Sequence, residues 1–323
     1  MLPRPALTAA PPLPWPWLGK PQATAGHRRA LWSLLGLRPA LAGPPSGQLL
    51  ASETWQGARV ERWLLQLNRE QTVPALLLRP ASGSVRGLVL YCHAHGGRFE
   101  IGKEELLQGR PALQAPAYGA DLTARGYAVL AIDHWGFGER QQPSERALVK
   151  RLLWQGSTLW GWRVHDTLAA LTWLQRQAGL TGLPVATLGL SMGSTMAVWA
   201  AALCSDIAVC VDLCCLAEYD SLLASGGFDR HGEYYFVPGL LRSFSAAEIS
   251  ALIAPRPHLS LAGLLDPLTP PDGIASIDAA MRISYAATGH PDAWQQHTEP
   301  VGHVETAAMR QAVLAFLDQH LAG

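Results

Sequence analysis

The sequence has no excess of either charge, because its 25 Lys and Arg residues are matched by 25 Asp and Glu residues. Proteins that bind nucleic acid or an anionic membrane surface usually carry a basic excess, so neither partner is expected. No apolar run approaches the roughly 18 residues of a membrane-spanning helix. Charged residues are only 15% of the 323-residue chain and apolar residues are 49%, a composition that predicts a folded globular protein.

Cysteine is also scarce, and no Cys-x-x-Cys pair occurs, so a structural zinc site is not expected. The N-terminal residues 1–20 lack the charged start and apolar core of a secretory signal. An odd number of cysteines inside apolar runs indicates buried, reduced thiols and a cytoplasmic protein. The five are Cys92, Cys204, Cys210, Cys214 and Cys215.

Proline is unevenly distributed, with ten of the 24 prolines in the first 50 residues. We therefore predict that residues 1–54 form a proline-rich arm that contains one short helix, over 24–35, and is otherwise irregular. Residues 55–323 are predicted to form one folded domain. Trp15 and Trp17 of the arm can pack on a neighbouring subunit of a homo-oligomer or on their own chain, and the sequence does not decide between these.

Beyond the arm, short apolar runs alternate with amphipathic ones. This alternation predicts an α/β protein with a mostly parallel sheet and helices on both faces. Residues 216–245 are rich in aromatics and glycine without a clean period, and they are predicted to be a cap insertion. The predicted strands are 58–66, 75–79, 88–92, 127–132, 184–188, 208–213, 258–262 and 293–299, and the predicted helices are 117–125, 159–177, 192–203, 273–287 and 305–321.

The most informative motif is Gly189-Leu190-Ser191-Met192-Gly193, which follows a predicted strand and opens a predicted helix. Strand, Gly-x-Ser-x-Gly and helix is the context of a nucleophile elbow. The glycines permit a tight turn that holds the serine hydroxyl clear of the backbone, with a helix N-terminus behind it. Ser191 is therefore predicted to be a nucleophile, and its alternative role is a plain helix N-cap.

A serine hydroxyl is a poor nucleophile without a base in hydrogen-bond reach and a third group that orients the base. In strand–elbow–helix proteins these groups follow in the chain order Ser, acid, His. Asp266 comes just after a predicted strand and His303 just before the last predicted helix, so the sequence supplies that order. The alternatives left open are Asp212 for the acid, and His290 and His297 for the base.

A tetrahedral intermediate also needs two backbone N–H donors for its oxygen. Met192, directly after the predicted nucleophile, is expected to supply one of them. The other is expected from the loop 93–97, with Ala94 as the first choice and His95 as the reserve. His93 and His95 also have the spacing of metal ligands, but no acidic or cysteine partner is evident, so no metal is expected.

Residues 133–140 follow another predicted strand and contain Gly136 and Gly138. Gln141 stands where a dinucleotide-binding loop needs its third glycine, so no such cofactor is expected. An ion pair of Asp133 or Arg140 is expected to brace the site instead. The predicted substrate contacts are His134, Trp135, Trp160, His231 and Tyr235, although Trp160 is also a candidate for simple packing.

Several of these segments together resemble the α/β-hydrolases, and within them the branch that contains dienelactone hydrolases and acetyl xylan esterases. The resemblance covers about residues 55–321. It implies an eight-stranded sheet and a triad of Ser191, Asp266 and His303. Ester hydrolysis by such a triad needs no metal or organic cofactor. The segments that carry it are Tyr91 to Gly97, Asp133 to Arg140, the elbow, Pro255-Arg256-Pro257 and Gly302 to Glu305.

Dienelactone hydrolases proper have a cysteine nucleophile, whereas the serine here favours ordinary ester hydrolysis. The predicted function is a serine-nucleophile hydrolase that cleaves small carboxylic esters through an acyl-enzyme; an acetylated sugar and a thioester are both candidate substrates. A prolyl-oligopeptidase-like peptidase is one alternative, although such enzymes usually carry a large extra domain. A non-catalytic, ligand-binding relative is the other, although such relatives commonly lose a triad member and all three are present here.

Overall fold

The computed structural model describes residues 24–37 and 44–321, so Trp15 and Trp17 lie outside the described residues. The helix predicted in the arm is α1, Thr24–Leu34, and it buries Leu31 against the body of the protein. Arg28 anchors it by donating hydrogen bonds from Nε to the Ala202 carbonyl and from Nη2 to the Leu252 carbonyl, both at 2.9 Å. This part of the arm therefore lies on the domain.

A single large sheet runs through the described residues. Its strands are β1 Ser46–Trp55, β2 Ala58–Gln66, β3 Val73–Pro80, β4 Gly87–Cys92, β5 Tyr127–Ile132, β6 Val185–Leu190, β7 Ile207–Leu213, β8 His258–Gly263 and β9 Trp294–Glu299. They lie in the order β1-β2-β3-β5-β4-β6-β7-β8-β9. The pairs β1–β2, β2–β3 and β3–β5 are antiparallel and all the others are parallel, which confirms the predicted mostly parallel sheet.

The sheet has nine strands where eight were expected, because β1 occupies the end of the segment assigned to the irregular arm. It pairs antiparallel with β2, from Ser46 opposite Gln66 to Trp55 opposite Ala58. All ten of its residues are exposed or half-buried. A strand that buries neither face shows no alternation of apolar residues, so the sequence pattern did not reveal it.

Helices cover both faces of the sheet. Besides α1, the helices are α2 Glu105–Gln108, α3 Tyr118–Ala124, α4 Glu145–Trp154, α5 Leu159–Leu174, α6 Met192–Leu203, α7 Tyr219–Ala224, α8 Ala246–Ala251, α9 Pro271–Ala287 and α10 Ala307–His320. One face of the sheet packs against α1, α5, α6, α8 and α9, and the other packs against α3 and α10. Within the described chain, no helix has the length and apolarity needed to cross a membrane.

The parallel strands place the predicted functional loops at one edge of the sheet. β4 and β6 are neighbours, with Cys92 opposite Gly189 where both strands end. β8 and β9 are also neighbours, with Gly263 opposite Glu299 at the corresponding ends. Ligands of open α/β sheets bind outside the carboxyl ends of the strands, so this edge is where a site is expected.

Candidate active site

The turn at Ser191 has the geometry of a nucleophile elbow. Ser191 lies between β6 and α6 with φ 58° and ψ −122°, a region that residues with a side chain rarely adopt. A Cβ atom at Gly193 would lie 1.9 Å from the Cys92 carbonyl oxygen, and one at Gly189 would lie 2.4 Å from the Gly193 carbonyl carbon. Only glycine fits at either position, so the two glycines permit the turn that holds Ser191.

Asp266 and His303 come together although 37 residues separate them. His303, in the loop between β9 and α10, donates from Nδ1 to Asp266 Oδ2 at 2.6 Å. Asp266 is 2% exposed, and its other oxygen accepts the Leu268 N–H at 2.9 Å. Because Nδ1 carries the donated proton, Nε2 is the imidazole nitrogen that remains free to accept one.

The alternative acid and bases are placed elsewhere. Asp212 is fully buried within β7, where it accepts hydrogen bonds from His258 Nε2 at 2.7 Å and Ser260 Oγ at 3.0 Å. His297 lies exposed on β9, and His290 lies exposed at the opposite end of that strand with its Nδ1 near the Thr288 carbonyl. None of these three residues lines the pocket that contains Ser191 and His303.

A pocket of about 440 Å³ opens beside Ser191 and His303. One wall comes from the loop after β4 and the start of α6, and another comes from the segment predicted as a cap, between β7 and α8. His231 and Tyr235 of that segment, which were predicted to contact substrate, line the pocket with their ring centres 5.4 Å apart. The other lining residues are His95, Gly96, Gly97, Met192, Thr195, Cys214, Cys215, Asp229, Arg230, Gly232, Tyr234, Leu268 and Thr269.

The backbone amides of the two predicted oxyanion segments differ in what they contact. Met192 opens α6, so its N–H is one of the first-turn donors that have no acceptor within the helix. The Ala94 N–H instead donates to both carboxylate oxygens of the buried Glu105, at 3.1 and 3.2 Å. The first choice for the second donor is therefore corrected, since Ala94 is occupied by Glu105 and does not line the pocket. His95, the reserve, does line it.

Three predicted substrate contacts lie beneath the pocket instead of on its wall. His134 is 1% exposed and packs against the ring of His93 at 4.7 Å, and this burial holds the pKa of His134 well below its usual value. Trp135 is also buried and donates from Nε1 to Asp166 at 2.8 Å. Trp160 is fully buried against Trp199, Tyr234 and Tyr235. These aromatics are packing residues, so the position of His134 and Trp135 just after β5 and of Trp160 at the start of α5 was a misleading signal.

An ion pair of Asp133 or Arg140 was expected, and each of these residues forms one. Asp133 accepts a hydrogen bond from Lys103 Nζ at 2.9 Å, and Arg140 donates to Asp166 at 2.9 Å. Another pair, between half-buried Glu145 and fully buried Arg163 at 2.6 Å, was missed. Its signal in the sequence was an arginine inside the tryptophan-rich start of α5.

Potential metal ligands in the described chain converge at one place. Cys214, Asp266 and His303 present donor atoms within 4.8 Å of one another, but the last two already bond each other. The pair His93 and His95 does not converge, because His93 Nε2 accepts the His134 N–H and His95 Nε2 contacts Glu145. Burial also lowers the pKa of His93 to about 3, so its ring is neutral at ordinary pH.

The strand order, the elbow at Ser191 and the Asp266–His303 pair after β8 define an α/β-hydrolase. The chain is 41% identical over 298 residues to "Putative hydrolase YtaP" of Bacillus subtilis (strain 168), an alignment that covers 92% of this chain and 99% of that protein. The chain therefore belongs to the same family of α/β-hydrolases. No protein-family model matches it.

Solved structures share the fold at much lower identity. Glucuronoyl esterase from Solibacter usitatus is 14% identical, with a TM-score of 0.68 over 92% of this chain and 93% of that one. Acetyl xylan esterase 1 from Thermoanaerobacterium sp. is 13% identical, with a TM-score of 0.59 over 94% and 95% of the two chains. At such identities the comparison establishes a common architecture.

Proposed function

We propose that the protein is a carboxylic-ester hydrolase that uses Ser191 as its nucleophile and passes through an acyl-enzyme. The observation that carries the proposal is that Ser191 and His303 line one pocket while buried Asp266 binds His303 Nδ1 at 2.6 Å. This is the arrangement of nucleophile, base and orienting acid that activates a serine. Its strained elbow and its chain order both fit the serine hydrolases of this fold.

In the proposed reaction Ser191 Oγ attacks the acyl carbon while His303 Nε2 takes its proton. Asp266 keeps the proton of His303 on Nδ1 and stabilises the imidazolium that forms. His303 then gives the proton to the departing alkoxide, which leaves an ester on Ser191. Water, deprotonated by the same Nε2, attacks that ester; the acyl–Oγ bond breaks, the proton passes from Nε2 to Ser191 Oγ, and the carboxylic acid leaves.

The oxygen of the tetrahedral intermediate is assigned to the backbone amides of Met192 and His95. Both residues line the pocket that holds Ser191, and they belong to the two segments that usually supply these donors in the fold. The Met192 N–H also lies at the positive end of the α6 dipole. Removal of one such donor in a serine hydrolase typically lowers kcat by about 10²–10³.

The substrate is proposed to be a small ester, since the pocket holds about 440 Å³ and aromatic rings form one of its walls. Esterases among the proteins of similar fold support ester chemistry, although their individual substrates do not transfer at such low identity. The neutral net charge of the chain gives no preference for a charged substrate.

The test is labelling with a fluorophosphonate, read by intact mass and peptide mapping, together with hydrolysis of p-nitrophenyl acetate and butyrate. We expect one adduct per chain, on Ser191, and fast release of p-nitrophenol. The Ser191→Ala variant should remain folded but should form no adduct. Its kcat should fall about 10⁴- to 10⁶-fold, as in other serine hydrolases that lose their nucleophile. An adduct on another residue, or turnover that survives Ser191→Ala, would refute the assignment.

A further inference from the structure

A buried cation contacts the side chain that follows the proposed nucleophile. Arg163 of α5 is fully buried, and its Nη1 lies 3.3 Å from the Met192 sulfur. Its Nε and Nη2 both donate to the Trp135 carbonyl, at 3.0 and 2.6 Å. Nη2 also donates to Glu145 Oε2 at 2.6 Å. The rigid guanidinium is therefore fixed at several points, one of which is the elbow.

Glu145, the first residue of α4, extends this contact to the loop after β4. His95 Nε2 donates to both of its oxygens, at 3.0 and 3.1 Å. The Gly97 N–H donates to His95 Nδ1 at 3.0 Å, so the ring proton belongs on Nε2 and points at Glu145. The His95 imidazole is therefore held at both nitrogens, because Nε2 donates a hydrogen bond and Nδ1 accepts one.

The rings around His95 complete its fixation. Tyr234 of the cap segment stacks on His95 with ring centres 4.8 Å apart and planes only 14° apart. The Arg163 guanidinium carbon lies 4.8 Å from the centre of the same tyrosine ring and 5.1 Å from that of Phe137, whose edge also contacts His95. One cation–carboxylate pair therefore contacts, directly or through one ring, both proposed donor residues.

We propose that the Arg163–Glu145 pair is the positioning element of the oxyanion hole, which sets the spacing of the Met192 and His95 amides. The inference rests on the proposed function, because it assumes that these two amides bind the oxyanion. Neither Arg163 nor Glu145 lines the pocket, so they act through the residues they hold and not on the substrate.

The chemistry of the pair supports a positioning role over a stabilising one. A buried ion pair is a weak source of stability, since desolvation of the two charges offsets much of their attraction. Burial raises the pKa of Glu145, but the His95 hydrogen bond and the Arg163 charge outweigh it, so the pKa lies below its usual value and the carboxylate is ionised. The pair instead holds two segments that line the pocket, because Arg163 contacts Met192 and Glu145 accepts a hydrogen bond from His95.

The test compares two double variants that each remove one buried ion pair without changing net charge. Glu145→Gln/Arg163→Met removes the proposed positioning pair. Arg140→Met/Asp166→Asn removes the pair that joins Arg140 and Asp166 at 2.9 Å beneath the neighbouring loop and serves as the matched control. For each we would measure kcat and KM with p-nitrophenyl butyrate, the rate of fluorophosphonate labelling, and the midpoint of thermal unfolding.

We expect the Glu145→Gln/Arg163→Met variant to lose roughly 10²-fold in kcat and in labelling rate, because displacement of oxyanion donors by about 1 Å has an effect of that size. KM should change less than about threefold, since ground-state binding does not use these donors. The control should show a similar change in the midpoint of thermal unfolding but should keep kcat within about threefold. The Arg163→Lys variant keeps the positive charge but loses the planar set of guanidinium donors. Its kcat should therefore lie between those of the wild type and the double variant.

The inference would be overturned if kcat fell equally in the two double variants, or if the Glu145→Gln/Arg163→Met variant showed a raised KM with an unchanged kcat. If the Glu145→Gln/Arg163→Met variant does not fold, Arg163→Lys is judged by the same split between kcat and KM. Failure of the proposed function looks different, because the wild-type protein itself would then show no adduct on Ser191. A labelled, active wild type beside a fully active double variant would reject the positioning role alone.

Discussion

Two aspartate–histidine pairs lie near neighbouring strands of the sheet, and they share residue types and bond length but differ in position and exposure. In the first, Asp266 and His303 sit on loops, and the His303 side chain is 25% exposed at the pocket. In the second, Asp212 and His258 sit within β7 and β8, and both side chains are fully buried. The N···O distances, 2.6 and 2.7 Å, do not distinguish them.

The pairs differ in the ring nitrogen that is used and in what remains free. His303 donates from Nδ1 to its aspartate, so Nε2 remains available at the pocket. His258 instead donates from Nε2 to its aspartate, and its whole side chain is buried away from the pocket. The same two residue types can therefore drive a proton transfer or tie two strands together, and access decides which.

The largest effect is expected from the loop pair. Asp266→Asn should lower kcat by roughly 10⁴, as in the serine protease triad, because an amide in this place favours the wrong imidazole tautomer. The midpoint of thermal unfolding should change little beside that loss, since the amide can still accept the Leu268 N–H. Steady-state hydrolysis of p-nitrophenyl butyrate measures the first quantity and calorimetry measures the second.

The buried pair should respond in the opposite way. Asp212→Asn leaves a buried histidine without its counter-charge, so we expect about 3–5 kcal/mol less free energy of unfolding. The folded fraction should keep kcat within a few-fold of wild type, because Asp212 lies outside the pocket lining. Denaturant unfolding gives the stability, and kcat per fluorophosphonate-labelled site gives the activity of folded molecules. A 10⁴-fold loss for Asp212→Asn beside an active Asp266→Asn would transfer the acid role to Asp212.

The contrast also explains which parts of the site were predictable from sequence. Ser191, Asp266 and His303 each carry a local signal, because a strand end, a tight turn and a helix start can be read within a few residues. Asp212 carries the same signal of an acid at a strand end. What separates it from Asp266 is His258 on the next strand, 46 residues away, and a single sequence does not reveal that pairing.

The choice of Ala94 as the second oxyanion donor failed for the same kind of reason, because its N–H already binds Glu105. Ala94 and His95 are neighbours on one loop, and only the carboxylate of Glu105, eleven residues further on, decides between their amides. The buried aromatics after β5 and at the start of α5 were similarly ambiguous, since a tryptophan serves packing and substrate contact equally well. Fold class and strand alternation were predictable because periodicity is local, whereas the partner of a buried polar group is not.

The smallest expected effect is a pH dependence of the free energy of unfolding, caused by His258 of the buried pair. Burial alone would lower the pKa of His258, but its contacts with Cys210 and the Asp212 carboxylate outweigh burial and raise the pKa to about 9. A group whose pKa is raised on folding contributes stability that is complete below its unfolded pKa of about 6.5 and is lost as the pH rises through the folded value. The contribution of His258 should therefore fall by roughly 1.5 kcal/mol between pH 6.5 and 8.

Other histidines have the opposite effect on how the free energy of unfolding of the intact protein depends on pH. Burial lowers the pKa values of His93 and His134, so each of these residues makes the folded state more stable as the pH rises through about 6.5. The measurement is therefore the difference in free energy of unfolding between wild type and His258→Gln, taken by denaturant titration at several pH values, because the shared histidines cancel. Staying below pH 8 also limits ionisation of the thiols. A difference that stays constant or grows with pH would mean that His258 is neutral in the folded protein, and the buried pair would then be a hydrogen bond to a neutral ring.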